Sequence, residues 1–72
     1  KQYILNGKNS LGEVDSHIED YRTEEIMEER FSRIKETFRS NPFAEMMEEG
    51  DRHFKVKMGG VTYKYYITER EI

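Results

Sequence analysis

Apolar and polar residues alternate most regularly near the end of the chain. Residues 52–58 and 61–68 flank Gly59-Gly60, a pair suited to a two-residue reversal, and predict a β-hairpin with Met58 facing Val61. That register sets Val56 opposite Tyr63 and Phe54 opposite Tyr65, making one face apolar. The other face receives Lys57 with Thr62, Lys55 with Lys64, and His53 with Tyr66. Glu69 to Ile72 reads as a loose tail.

A period of 3.6 takes over upstream. Met27, Phe31, Ile34 and Phe38 share one side of a helix predicted over 24–39, with Thr23 as its N-cap. Glu24, Glu25, Glu28 and Glu29 crowd its early turns and Arg30, Arg33, Lys35 and Arg39 its later ones, the order that the helix dipole favours. Leu11, Val14, Ile18 and Tyr21 follow spacings of three, four and three behind Ser10-Leu11-Gly12-Glu13, which fits a capping box. This predicts a short helix over 11–21. Asn41-Pro42 ends the main helix and opens a third one over 42–49, with Phe43, Met46 and Met47 as its apolar side and Gly50 as its stop. At the start, residues 1–5 form a β-prone run before Asn6-Gly7, a turn pair. The expected fold is α+β, one domain over 1–72: a short N-terminal strand, two to three helices, then a C-terminal antiparallel hairpin forming a small sheet packed on the helices.

Composition narrows what such a domain does. The chain has 72 residues, 35% hydrophobic and 38% charged, with a net charge of −3. A core this small leaves a thin margin of stability, so a partner or a second copy that completes it is an attractive expectation. With no cysteine there is no disulfide or Cys-ligated metal, which favours a cytoplasmic setting. No apolar stretch is long enough to span a membrane and no signal peptide is evident. The chain opens on Lys1 rather than Met, so a native start upstream is expected.

Catalysis and cofactor binding find no support. His17 and His53 stand in no nucleophile, zinc or phosphate-loop motif, and no cofactor or metal is expected. His53 with Asp51 and Tyr66 would form an acid-base cluster, yet cross-strand pairing alone predicts that proximity. The carboxylate-rich stretches lack the ligand spacing of a calcium loop.

Charge is segregated, and binding is the function that this segregation suggests. Glu13 to Glu36 holds nine acidic and four basic residues, whereas Arg52 to Arg70 holds five basic and one acidic. A protein partner, or the same chain as a homodimer, would meet the acidic helix face Glu24, Glu25, Glu28 and Glu29. An unpaired sheet edge offers a second means of joining another chain. The alternative is nucleic acid. Three helices followed by a hairpin match the order of a winged helix, and His53, Lys55, Lys57, Lys64 and Tyr66 mix cations with an aromatic on one face. Against that, the segment in the recognition position carries Glu45, Glu48 and Glu49.

Tyr3 to Lys8, ahead of a capped helix, resembles the opening of barstar-like nuclease inhibitors. That resemblance implies a small acidic domain that presents carboxylates to a basic site. Asn41-Pro42-Phe43 resembles the short NPF ligand of EH-type modules, and a capped helix start accounts for the same three residues. The expectation is therefore a small non-enzymatic binding protein, a regulator, inhibitor or accessory factor of bacterial or phage type.

Overall fold

The alternation seen at the end of the chain governs most of the molecule. The computed structural model describes residues 1–11 and 15–71, with the backbone alone at 15–17. Its elements are β1 (Gln2–Asn9), β2 (Asp15–Tyr21), α1 (Glu24–Arg39), β3 (Ala44–Glu49), β4 (His53–Met58) and β5 (Val61–Arg70). The five strands form one antiparallel sheet in the order β2-β1-β5-β4-β3, with β5 and β1 inside it. The helix lies across one face and the other face is open.

Phe54, Val56 and Leu5 project from that sheet into the helix side, where Phe31 closes a fully buried cluster and Ile34, Phe38, Tyr63, Tyr65 and Ile67 pack around it. Met27 is buried as well. Aromatic rings dominate: Phe54 stacks on Tyr65 at 5.1 Å and tilts against Phe31 at 5.4 Å, while Phe38 stands 5.7 Å from both Tyr63 and Tyr65. Such pairs add about 0.5–1.5 kcal/mol each beyond the area they bury. The helix spans 24–39 as its periodicity predicts. Thr23 holds the N-cap position with an extended backbone but makes no side-chain capping bond.

The hairpin β4–β5 has the expected register, from Met58 with Val61 to His53 with Tyr66. Gly59 and Gly60 sit at φ 60° and 78°, both left-handed, as a primed two-residue turn demands. β5 continues to Arg70, so Glu69 and Arg70 belong to the sheet rather than to a loose tail.

Three expectations fail, and together they overturn a fold of two to three helices with a small hairpin sheet: there is one helix on a five-stranded sheet among the described residues. The stretch expected as a helix over 11–21 supplies strand β2; Gly12, Glu13 and Val14 lie outside the described residues, and with them the second half of the expected capping box. Ser10 serves the sheet instead, its Oγ accepting the Thr62 amide at 3.0 Å. Ile18, counted toward an apolar helix side, is 58% exposed. Glu19 and Tyr21 face the helix, where the Glu19 carboxylate meets Arg30 Nε at 3.1 Å and the Tyr21 hydroxyl. A period of two, using a carboxylate as an inward residue, was disguised by a 3-4-3 spacing.

The expected helix over 42–49 is strand β3. Asn41 Oδ1 accepts the Phe43 amide at 2.9 Å, the bond an N-cap would make, but the Ala44 amide then returns to the Asn41 carbonyl at 3.1 Å and closes a turn. A bulge between Met46 and Glu48 leaves Met46 half-buried and turns Met47 outward, 51% exposed, so the adjacent pair that suggested a helix face is a pleat with one extra residue. Finally, β1 runs straight through Asn6-Gly7. Gly7 is buried and pairs with Tyr65. With β1 followed by a strand, the barstar-like order of strand then helix is absent, and so is the winged-helix order.

Candidate functional site

The open face is built in rows, because residues paired across antiparallel strands point to the same side. Lys8, Lys64 and Lys55 are register partners on β1, β5 and β4, and their row ends at Glu48 on β3 and at Asp15 on β2. Beside it, Thr62 pairs with Lys57 and Lys57 with Glu45. On the other side runs Ile18, Asn6, Tyr66 and His53. Neighbouring strands stand about 4.8 Å apart, so the three lysines span roughly 10 Å. They border a shallow basin of about 470 Å³ that Asn9, Ser10 and Thr62 complete.

Arginines and lysines divide the electrostatic work. Arg30, Arg33, Arg39 and Arg52 each hold a carboxylate on the helix side. Arg52 bridges Glu24 at 2.8 Å and Glu69 at 2.6 Å, fastening the start of the helix to β5. Its hydrogen bond, followed by that of Lys1, holds the Glu69 carboxyl below the usual carboxylate range. Among the described residues, Lys8, Lys55, Lys57 and Lys64 make no ion pair, although Asp15, Glu48 and Glu45 are register neighbours of the first three. Lys64 Nζ instead lies 5.7 Å from the centre of the Tyr66 ring. Like charges set directly opposite cost stability, and nothing in the packing of the open face requires them.

The structure thus brings Lys55, Lys57, Lys64, His53 and Tyr66 onto one surface, as the hairpin pattern implied. Lys8 was missed, because Asn6-Gly7 read as a turn; the alternation of Ile4, Asn6 and Lys8 against Tyr3, Leu5 and Gly7 was the available signal. The acidic group lies on α1, across the sheet from these lysines. Glu24 is bound to Arg52 and Glu29 to Arg33, at 2.9 Å, while Glu25 and Glu28 are exposed and form no ion pair among the described residues. His53 packs its ring over Gly50, where a Cβ would come within 2.3 Å of it, and no hydrogen bond ties it to Asp51 or Tyr66. Glu45, Glu48 and Glu49, taken as opposing nucleic acid at a recognition helix, sit on edge strand β3, with Glu49 bound to Arg39 and Lys35. Phe43 of the Asn-Pro-Phe stretch is 83% exposed at the turn.

Among the described residues, no group of three His, Asp or Glu side chains is placed to hold a metal ion, and no helix is long and apolar enough to cross a membrane. No protein-family model, curated protein or solved structure matches this chain.

Proposed function

We propose that the protein is a non-enzymatic binding module that takes up a polyanionic partner on the open face of its sheet. The observation that carries this reading is the row Lys8, Lys64 and Lys55, three cations on adjacent strands that form no ion pair among the described residues, with Asp15 and Glu48 as the register partners at its two ends. Forming no ion pair among the described residues, the row costs repulsion in the free protein, and a bound anion relieves it. The acidic residues of the expected recognition helix lie instead on edge strand β3, where Glu45 and Glu48 border the lysines. A cytoplasmic setting goes with this reading, since a domain without cysteine draws nothing from an oxidising compartment.

Retention on immobilised heparin tests it, because a chain of net charge −3 binds an anionic matrix only if its cations are gathered on one surface. The protein is expected to bind at low salt and elute as salt rises, while the Lys55→Glu/Lys64→Glu variant passes through. Wild-type protein that also passes through overturns the proposal.

A second reading, a regulator or inhibitor that docks a basic protein, is favoured by the exposure of Glu25 and Glu28 on α1. Glu25→Lys with Glu28→Lys should then weaken binding to polylysine well beyond what Glu45→Lys with Glu48→Lys does. Equal losses in the two variants would reduce the effect to net charge.

A further inference from the structure

We infer that the polyanion is a single-stranded nucleic acid, its phosphates following the lysine row and a base stacking on Tyr66. This rests on the reading of the open face as an anion site. It adds a second row to that site. Ile18, Asn6, Tyr66 and His53 run parallel to Lys8, Lys64 and Lys55, displaced by two residues along each strand. Two residues of strand correspond to about 7 Å, the order of separation between a nucleotide's phosphate and its base. An acidic peptide or a sulfated sugar would use the lysines and leave Tyr66 idle.

The remaining features of the face fit the same ligand. Tyr66 offers a ring on the open sheet face, and the one helix among the described residues lies on the other face and cannot enter a groove from this one, so a duplex, whose bases are already stacked, gains only the lysine contacts. Lysines are point charges on flexible stems and track a backbone without the fork geometry that reads base edges. Arg30, Arg33, Arg39 and Arg52 bind carboxylates on the helix side, and Arg70, which shares the open face at the far end of β5, is hydrogen-bonded to Gln2. The ligand is therefore bound with little sequence preference. Glu48 and Glu45 on β3 bound the basic surface on one side and limit the contact to a few nucleotides.

Fluorescence anisotropy of a labelled oligothymidylate, against heparin and a duplex of equal length as competitors, decides the matter. Three phosphate contacts predict a slope of about −2 in log affinity against log salt, and Lys64→Gln should reduce it by about 0.7. Tyr66→Leu is expected to weaken binding about tenfold, whereas Tyr66→Phe stays within about twofold because the stacking ring remains. Heparin affinity should be the same in both Tyr66 variants. If Tyr66→Leu binds oligothymidylate as wild type does, or the duplex competes as well as the single strand, the inference is overturned while the anion site stands. If neither heparin nor oligothymidylate binds at low salt, both fall together. Should Tyr66→Leu fail to fold, NMR of the wild type serves instead: the Tyr66 ring protons shift upfield with oligothymidylate and not with heparin, and unmoved ring protons overturn the inference.

Discussion

The two faces of one sheet differ in what they ask of their residues. On the covered face Leu5, Phe54 and Val56 are fully buried, rings meet at 5 to 6 Å, and the carboxylates at the margin are held by arginine. On the open face Lys8, Lys64 and Lys55 stand side by side and form no ion pair among the described residues, beside a half-buried tyrosine. The first arrangement is explained by folding alone. The second opposes folding slightly, and a surface that departs from what stability favours is where a binding role is sought.

The largest expected effect breaks the covered face. Phe54→Ala removes the ring shared by Phe31, Phe38 and Tyr65, and a loss of about 3–5 kcal/mol is expected in urea titration. In a domain this small that loss consumes most of the stability. An Ala variant that keeps most of its stability would show that the aromatic cluster is not the core.

A smaller effect of opposite sign sharpens the contrast. Lys64→Gln takes the middle charge out of the lysine row, and stability should rise by about 0.2–1 kcal/mol while heparin retention falls. A fall in stability on this substitution would mean that the row contributes to the fold. Smaller again is Met47→Lys at the bulge of β3, where the side chain already faces solvent. Its midpoint in urea should shift by less than about 0.5 kcal/mol, and a larger loss would place Met47 in a contact that the fold depends on.

The smallest effect lies at the margin between the faces. The Glu69 carboxyl is held low by Arg52 and Lys1, so its contribution to stability is complete above its ordinary value near 4.5 and is lost as pH falls through the lowered one. Between those values the thermal midpoint of the wild type should fall more steeply than that of Glu69→Gln. Parallel curves would mean that the Arg52 bridge does not persist in solution.

The legible parts of the sequence were those in which local pattern and tertiary contact agree. Gly59-Gly60 fixes a turn and the turn fixes six register pairs, so the hairpin and most of the lysine surface could be read directly. Met27, Phe31, Ile34 and Phe38 met a single sheet, and so their period survived. The failures share a different cause. Leu11 to Tyr21 and Phe43 to Glu49 contain short spacings compatible with either period, and the choice was made by pairing to strands distant in sequence. Ile18 facing solvent, Glu19 facing the helix and the extra residue at Met47 have no local signature. Lys8 was hidden by the same limitation, since Asn6-Gly7 forms a turn in isolation and a straight strand once β5 lies beside it.

That last pairing has a consequence for how the chain is made. Ile4 meets Thr68 and Gln2 meets Arg70, so the earliest strand of the sheet docks on its last. Until then it has only β2 for company, and such long-range closure is slow compared with a local hairpin. Refolding should therefore begin at the glycine turn and finish at the amino terminus, with the lysine row assembled in the final step.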